Sequence, residues 1–363
     1  MALAKKKILV VDDSALMRRV LCDIINSDEM FEVADRAING LEAFDLITRN
    51  TYDAVVLDVN MPRMNGLQLL TELRKHKVRV RVMMASTDTM EGAKTTLDAL
   101  ELGALDFIHK PDSANSCREG TFQHDFLRTL RGVVNSRLPE IVQPEKLRKE
   151  REENKQFINI LRKSPAKIAG TKIVALASST GGPKALQSVI PRLPANLDAP
   201  VLVVQHMPKG FTASLADRLN ALSEVNVCEA AEGQKIEKGT VYIAKGGAHM
   251  NLVTGPGGAY TIHYTDEPIR EGVKPCANYM YESLIPSKFD KIVCVVLTGM
   301  GADGTEGIKN LKAKRKAYVI SQDEATSTIY GMPKSVAVAG LTDQVAPLDN
   351  VASEVVLQVG LSN

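Results

Sequence analysis

Short apolar runs alternate with amphipathic segments in the first part of the chain. The apolar runs predict four strands, at Lys7–Val11, Ala54–Leu57, Val80–Met84 and Leu105–Ile108. Between them, apolar residues recur at helical spacing, at Leu16, Val20 and Ile24, at Leu41, Phe44 and Ile47, and at Ala93, Leu97 and Leu100. A last helix is predicted over Phe122–Ser136. Strands that alternate with helices imply right-handed crossovers, so we predict an α/β domain with a doubly wound parallel sheet of the (βα)5 type.

A second α/β pattern follows in the C-terminal half. Four more strands are predicted at Ile173–Ala177, Val201–Gln205, Lys291–Leu297 and Tyr318–Ser321. The glycine-rich stretch Gly239–Tyr264 contains two alternating segments around a Thr-Gly-Pro-Gly-Gly turn, which predicts a β-hairpin insert. We therefore expect a larger, Rossmann-like, doubly wound and mainly parallel sheet with a β-hairpin insert.

The segment between the two patterns differs in composition. Nearly every residue from Pro144 to Lys155 is charged, with mixed signs. Such a run is typical of a solvated linker helix and not of an interaction motif. The predicted organisation is one domain at 1–138, a charged linker at 139–170 and a second domain at 171–363.

Composition agrees with two domains and excludes several classes of protein. A chain of 363 residues is long enough for two domains of ordinary size. Its net charge of +2 argues against proteins that coat nucleic acid or bind membranes through clustered positive charge. Aromatic residues make up only 4% and tryptophan is absent, so a surface that stacks bases or sugars is not expected.

Cysteine usage and the apolar runs predict a cytoplasmic protein. Five cysteines occur without CxxC or metal-like spacing, which suits a reducing compartment. The apolar stretch Ile8–Val11 is too short for a secretory signal. No apolar run approaches the ~20 residues of a bilayer span. We expect neither membrane insertion nor a nucleic-acid partner.

Polar side chains follow each predicted strand of the first domain. Asp12 and Asp13 follow the first strand, Asp58 the second, Ser86 the third and Lys110 the fourth. Because the carboxyl ends of parallel strands converge on one crevice, these groups are expected to lie together. Three carboxylates repel one another unless a cation lies among them, and oxygen ligands suit Mg²⁺. A metal, a lysine and a hydroxyl are what a phosphoryl-accepting carboxylate needs.

These residues stand in motifs of a known family. The motifs are Val10-Val11-Asp12-Asp13-Ser14, Asp58 with Met61-Pro62-Arg63-Met64-Asn65-Gly66, Ser86, and Phe107 three residues before Lys110. The region Lys5–Arg137 thereby resembles a response-regulator receiver domain. The resemblance implies a phosphoacceptor at Asp58, Mg²⁺ ligands at Asp12, Asp13 and Asp58, a phosphoryl contact at Lys110, and a switch pair at Ser86 and Phe107.

Three further polar residues follow strands of the second domain. Ser179 lies in a Ser-Ser-Thr-Gly-Gly-Pro turn, where backbone N–H groups can hold an oxyanion. His206 ends one buried strand, and Asp303 lies in the glycine-rich loop after another. Together they form a possible nucleophile, base and orienting group. The chain order and the absence of GxSxG disfavour an α/β-hydrolase, and the missing lysine-serine pair disfavours a phosphate loop.

A second resemblance rests on four segments. They are Ala177–Gly182, Gln205–Phe211, Leu297–Gly304 and Tyr330–Pro333. These segments resemble the catalytic domain of chemotaxis protein-glutamate methylesterases, and a receiver followed by this domain matches the chemotaxis response-regulator methylesterase family over nearly the whole chain. The family pattern places the nucleophile at Ser179 and not at Ser178.

The resemblance implies a serine esterase that removes methyl groups from glutamate methyl esters of chemoreceptors and deamidates receptor glutamines. Catalysis would use Ser179, His206 and Asp303, and we expect backbone N–H groups near Thr180 and Met300 to hold the oxyanion. The implied partners are methyl-accepting chemotaxis receptors and a chemotaxis histidine kinase as phosphodonor. Mg²⁺ serves the receiver, and ester hydrolysis needs no cofactor. The unphosphorylated receiver would cover the catalytic crevice until phosphorylation loosens it.

Two segments depart from the family pattern. The chain has Gly246-Gly247-Ala248-His249-Met250 where Gly-Asp commonly precedes His-Met, and Pro275-Cys276-Ala277-Asn278 where Pro-Ser-Val-Asp is common. We expect both to affect the substrate groove and not the chemistry. Two alternatives stay open: a receiver-linked adaptor without catalysis, and a small-molecule carboxylesterase. A transcriptional regulator is disfavoured because strands and glycine-rich loops stand where a helix-turn-helix would be needed.

Overall fold

The computed structural model describes residues 4–87, 90–111, 120–138, 156 and 168–362. The chain divides into two compact units, Met1–Ile141 and Val142–Asn363. Of the predicted linker at 139–170, only 156 and 168–170 lie within the described residues. None of the helices in the described part has the length and apolar character needed to cross a membrane.

A five-stranded parallel sheet forms the N-terminal unit, with the strand order β2-β1-β3-β4-β5. Its strands are β1 (Lys6–Val11), β2 (Phe31–Ala37), β3 (Ala54–Asp58), β4 (Val82–Thr87) and β5 (Asp106–Lys110). Its helices are α1 (Ala15–Asn26), α2 (Gly40–Arg49), α3 (Gly66–Lys75), α4 (Met90–Leu102) and α5 (Gly120–Asn135). The predicted doubly wound α/β fold is confirmed, and all five strands end at the same edge of the sheet.

Two details of the first sheet differ from the sequence prediction. Strand β2 was not predicted, because it lies at the sheet edge and only Phe31 and Ala37 of its residues are buried, which leaves no continuous apolar run. Strand β4 begins and ends later than the predicted Val80–Met84. It extends to Thr87 because its ladder with β5 continues through Ser86 and Thr87, beyond the apolar residues.

One hydrophobic cluster holds this unit together. Ile8 and Val10 of β1, with Val56 of β3, pack against the buried faces of α1 and α5. Those helix faces contribute Val20, Leu21, Ile24, Ile25, Phe126, Leu130 and Val133. The helical spacing of these residues follows the 3.6-residue period of an amphipathic helix.

Seven strands form the sheet of the C-terminal unit, in the order β14-β13-β12-β6-β7-β9-β8, and every pairing is parallel. The strands are β6 (Lys172–Ser178), β7 (Val201–Gln205), β8 (Asn226–Glu229), β9 (Thr240–Ile243), β12 (Lys291–Val296), β13 (Ala317–Gln322) and β14 (Gln344–Ala346). The helices are α6 (Gly182–Val189), α7 (Phe211–Leu222), α8 (Ala277–Ser283), α9 (Thr305–Lys314), α10 (Met332–Val338) and α11 (Leu348–Val359). Short 3-10 turns cover Ile190–Arg192 and Pro256–Gly258.

The predicted hairpin insert is present, and it begins later than the glycine-rich stretch. Strands β10 (His249–Thr254) and β11 (Tyr260–Thr265) form a separate antiparallel pair. Residues Thr240–Ile243, at the start of that stretch, join the main sheet as β9 instead. The hairpin contributes Met250, Leu252 and Ile262 to the main core cluster. It is therefore part of the packed unit.

The strand order of the large sheet determines where a crevice can form. The sheet is built outward from β6, which pairs with β7 on one side and with β12 on the other. The chain continues from β6 to β7 on one side, whereas the later strands β12, β13 and β14 lie on the other side, so the strand order reverses at β6. In doubly wound sheets such a switch point is where ligands bind, beyond the carboxyl ends of the strands.

A pair of leucine substitutions tests the packing of the N-terminal unit. Leu130 of α5 is fully buried, whereas Leu16 of α1 is 59% exposed. We expect Leu130→Ala to lower the free energy of unfolding by about 2–5 kcal/mol, because it opens a cavity in the core. Leu16→Ala removes the same atoms from the surface and is expected to change it by less than about 0.5 kcal/mol. Urea unfolding of both variants measures the difference, and equal effects would contradict this description of the core.

Candidate functional site

The predicted acidic residues of the N-terminal unit lie together with the predicted lysine. The Lys110 Nζ atom lies 3.0 Å from Asp12 Oδ2 and 2.7 Å from Asp58 Oδ1. Asp12, Asp58 and Lys110 are buried, and Asp13 is exposed beside them. Oxygen atoms of the three carboxylates lie within 4.8 Å of one another. The strand-end argument therefore predicted this cluster correctly.

The charges of this cluster are unbalanced. Burial raises the pKa of Asp58, and this effect outweighs the opposing effect of the Lys110 ammonium. For Lys110, burial acts to lower the pKa, but Asp58 and Asp12 outweigh it and raise the pKa above its usual value. One ammonium against three carboxylates leaves negative charge in excess. Hard oxygen ligands with excess negative charge fit a divalent cation such as Mg²⁺.

The turn after Asp58 fixes the position of that residue. The Asp58 Oδ1 atom accepts a hydrogen bond from the N–H of Val59, at 2.8 Å. Helix α3 then begins at a capping box: the Asn65 side chain accepts from the Gln68 N–H, and the Gln68 side chain accepts from the Asn65 N–H, both at 2.9 Å. The N–H of Gly66 donates to the Val59 carbonyl at 3.0 Å. The motif between Asp58 and Gly66 is thus a rigid connection.

The predicted switch residues lie on the two neighbouring strands. Ser86 is buried near the end of β4, one position beyond the residue that pairs with Asp58, and its hydroxyl lies 3.5 Å from the Gly92 carbonyl oxygen. Phe107 is buried in β5 opposite Met84. Their assignment as a switch pair stays a prediction.

In the C-terminal unit, the three predicted residues follow the three strands at the switch point. Ser179 follows β6, His206 follows β7, and Asp303 lies in the loop after β12. The His206 Nε2 atom lies 2.7 Å from Asp303 Oδ2. Side-chain exposure is 7% for His206 and 2% for Asp303, so this pair is shielded from water. Shielding strengthens the interaction between the two groups.

The contact with Asp303 decides which nitrogen of His206 can act as a base. Because Nε2 faces a carboxylate, it carries the proton, and the neutral ring then has its lone pair on Nδ1. Within the described residues, the buried Nδ1 atom has no hydrogen-bond partner. Buried polar atoms without a partner are rare, so Nδ1 is a candidate for a catalytic role.

Asp303 is held ionised by several donors. Its Oδ2 atom accepts hydrogen bonds from His206 and from the N–H of Ala277, and its Oδ1 atom accepts from the N–H of Asn278 and from the Cys276 thiol, all at 2.7–3.0 Å. Burial alone raises the pKa of Asp303, but the hydrogen bonds from His206, Ala277 and Cys276 outweigh it and lower the pKa below its usual value. The carboxylate is therefore charged and fully hydrogen-bonded.

These contacts correct one expectation from the sequence. Pro275–Asn278 was expected to affect the substrate groove and not the chemistry, but three of its residues bind the Asp303 carboxylate directly. The other departing segment adjoins this loop, because the N–H of Gly247 donates to the Lys274 carbonyl at 3.2 Å. The contacts were missed because Pro275–Asn278 follows no predicted strand, so the strand-end argument did not place it at the site.

Sequence reasoning also missed the role of Gln205, which fixes the backbone on both sides of the site. Its Nε2 atom donates to the carbonyl oxygens of Ser179, at 3.0 Å, and of His206, at 3.1 Å. Its Oε1 atom accepts from the Ser178 hydroxyl at 2.7 Å. A Cβ atom at Gly182 would lie 1.9 Å from Oε1, so only glycine fits there. Ser178 is completely buried and its hydroxyl is engaged, which leaves Ser179 as the serine at the strand end.

The loop after β12 closes over the Ser179 turn. The N–H of Ser179 donates to the Thr298 carbonyl at 3.0 Å, and the Thr298 hydroxyl donates to the Thr180 carbonyl at 3.0 Å. A Cβ atom at Gly299 would lie 2.8 Å from the Cβ of Ser179. Met300, the next residue, therefore lies in the loop that adjoins Ser179. Thr180 and Met300 thus lie on two adjoining segments, and their role as oxyanion donors stays a prediction.

Comparison with known proteins gives consistent matches for both units. The family model described as CheB methylesterase matches residues 174–355, and the response regulator receiver domain model matches residues 8–119. The protein-glutamate methylesterase/protein-glutamine glutaminase of Pyrococcus abyssi is 43% identical over 357 residues, which cover 98% of this chain and 94% of that protein. The protein of the same name from Geobacillus kaustophilus is 39% identical, with coverage of 98% and 99%.

A solved structure also matches: the CheB methylesterase catalytic domain of Thermotoga maritima is 39% identical and covers 52% of this chain and 99% of that one, with a TM-score of 0.49. A receiver fold with its acidic cluster, followed by a second α/β unit with its own polar site, defines a response regulator with an effector domain. The chain belongs to the CheB methylesterase family.

Replacing Ser178 tests the hydrogen-bond network around Gln205. We expect Ser178→Ala to lower the free energy of unfolding by about 1–3 kcal/mol, because the buried Gln205 Oε1 atom loses its donor. Ser188→Ala is the matched control, since the Ser188 hydroxyl donates to the Lys184 carbonyl of its own helix, at 3.3 Å, and to no other group in the described part of the chain. Chemical denaturation of both variants gives the comparison. A loss for Ser178→Ala no larger than for the control would show that the network contributes little.

Proposed function

We propose that the protein is a phosphorylation-regulated serine esterase that hydrolyses glutamate methyl esters of chemoreceptors and deamidates receptor glutamines. The observation that carries this proposal is the buried contact between His206 Nε2 and Asp303 Oδ2. Ser179 and His206 follow the neighbouring strands β6 and β7. We infer that His206, oriented by Asp303, is the base that activates the Ser179 hydroxyl. The names of the full-length relatives from Pyrococcus abyssi and Geobacillus kaustophilus support the same two activities.

In the proposed reaction, the Ser179 hydroxyl attacks the carbonyl carbon of the ester while His206 Nδ1 takes its proton. Asp303 holds the ring in the required orientation and stabilises the imidazolium that forms. The carbonyl oxygen becomes an oxyanion, which the N–H groups of Thr180 and Met300 stabilise by roughly 3–4 kcal/mol for each donor. The imidazolium then protonates the leaving oxygen, and methanol departs from the acyl-enzyme.

Hydrolysis of the acyl-enzyme repeats these steps with water as the nucleophile. His206 takes a proton from the water, the water oxygen bonds to the acyl carbon, and the Ser179 oxygen leaves with the returned proton. The receptor retains a free glutamate carboxylate. A glutamine side chain follows the same course and releases ammonia in place of methanol. We propose that these steps need water and groups of the chain, and no cofactor.

The N-terminal unit would control this activity through phosphorylation of Asp58. Asp12, Asp13 and Asp58 would hold Mg²⁺, which when bound supplies positive charge to the phosphoryl oxygens. Lys110 contacts the same carboxylates and would neutralise a further phosphoryl oxygen. We propose a chemotaxis histidine kinase as phosphodonor. The Ser86 hydroxyl and the packing of Phe107 would respond to the new dianion.

The nucleophile is tested with receptor membranes that carry labelled methyl esters. We expect Ser179→Ala to release volatile methanol at least about 10³-fold more slowly than wild type, because the proposed acyl-enzyme forms on the Ser179 hydroxyl. Ser188→Ala, in the helix that follows, should release it at the wild-type rate. Full release by Ser179→Ala would exclude the proposed nucleophile. Release from small esters but not from receptors would favour a small-molecule carboxylesterase, and no release from either would favour an adaptor.

Regulation is tested by replacing the phosphoacceptor. We expect a small-molecule phosphodonor with Mg²⁺ to raise the methanol release of wild type and to leave Asp58→Asn unchanged, since the amide cannot accept a phosphoryl group. Asp45→Asn, an exposed position on α2, removes a carboxylate from the same unit and should respond as wild type does. Equal stimulation of wild type and Asp58→Asn would contradict control through Asp58.

A further inference from the structure

The Cys276 thiol lies inside the hydrogen-bond shell of Asp303. Its Sγ atom is 3.0 Å from Asp303 Oδ1, and the side chain is completely buried. The N–H of Cys276 donates to His249 Nδ1 at 3.1 Å, so the backbone at this position is held independently of the thiol. Burial, together with the negative charge of Asp303, raises the pKa of Cys276 well above its usual value. The group therefore carries its proton and acts as a donor.

The mechanical attachment of the Asp303 loop does not depend on this thiol. The Asn278 side-chain oxygen accepts from the N–H groups of Gly304, at 3.1 Å, and Gly307, at 2.6 Å. The N–H groups of Ala277 and Asn278 bind the carboxylate itself. These contacts fix the loop through backbone N–H groups and the Asn278 side chain, which a substitution at Cys276 leaves in place. The thiol donates one hydrogen bond to the Asp303 carboxylate, and the attachment of the loop does not require it.

We propose that Cys276 is a positioning residue of the esterase site, whose thiol withdraws negative charge from the Asp303 face that His206 contacts and thereby sets the pH range of the reaction. The proposal rests on the proposed function, because it assigns a role to Cys276 within that reaction. Oδ1 and Oδ2 share one charge. A donor on Oδ1 reduces the charge that Oδ2 presents to the His206 ring, and so limits how strongly the protonated ring is stabilised.

The other titratable groups around Asp303 do not provide this donor. Tyr281 of α8 is completely buried, but its hydroxyl donates to the Val295 carbonyl at 3.0 Å. His249 of β10 is buried against the Cys276 backbone and the Tyr279 ring. Lys274 is paired with the exposed Asp266. Among the described side chains, His206 and Cys276 are the two that hydrogen-bond the carboxylate.

Two substitutions separate the hydrogen bond from the space that the side chain fills. Cys276→Ala removes the donor, so the protonated His206 ring is stabilised and the acid limb of kcat/KM against pH moves to higher pH, by roughly 0.5 unit or more. Cys276→Ser keeps a donor and should return the limb to the wild-type position. Cys294→Ala is the control, because Cys294 is equally buried in β12 and is not among the described groups that hydrogen-bond Asp303.

The experiment measures methanol release from methyl-labelled receptors between about pH 5 and 9 for all four proteins. A parallel NMR titration follows the His206 ring, and thermal unfolding confirms that each variant is folded. A shift confined to Cys276→Ala, in both the rate profile and the ring titration, supports the proposal. Superimposed profiles for Cys276→Ala and wild type, or equal shifts for Cys276→Ala and Cys276→Ser, would overturn it. If wild type releases no methanol but the His206 titration still shifts in Cys276→Ala, the proposed function is refuted, while the effect of the thiol on the Asp303 carboxylate is supported.

Discussion

In both units, parallel strands all end at one edge of a sheet, and the short segments that leave those ends carry the polar residues. The residues of each site are far apart in sequence. In the first unit, Lys110 hydrogen-bonds both Asp12 and Asp58. In the second, His206 contacts Asp303, and Ser179 follows the strand next to that of His206. A buried apolar sheet supplies the rigidity that holds these groups in place. The polar clusters thus depend on the register of the strands beneath them.

The two buried aspartates illustrate two ways of placing a charge in a protein interior. Asp303 has a donor on every side, and its pKa is lowered although burial opposes this. Asp58 has Lys110 and one backbone N–H, and burial prevails, so its pKa is raised. A carboxylate with all its donors in place suits a fixed role beside His206. A carboxylate with fewer donors, such as that of Asp58, suits a residue that must still accept a cation and a phosphoryl group.

Much of this arrangement was predictable from the sequence because it follows from local patterns. Continuous apolar runs marked the central strands, and the residue after each run, such as Asp58 or His206, could be placed at the sheet edge. The edge strand Phe31–Ala37 was missed because its burial is sparse. Gln205 and Cys276 were not recognised as parts of the site, since Gln205 was assigned to a strand and Cys276 follows no predicted strand. No periodicity records such a contact, which exists only after the strands have paired.

The hydrogen bonds of Gln205 constrain how this site can diverge over evolutionary time. Its oxygen is bound to the Ser178 hydroxyl, its amide hydrogens serve two carbonyl groups, and the space beside the oxygen admits only glycine at 182. A change at any one of positions 178, 182 and 205 leaves a polar atom unpaired or creates a clash. Substitutions there are therefore expected to be strongly non-additive. We therefore expect positions 178, 182 and 205 to covary among relatives.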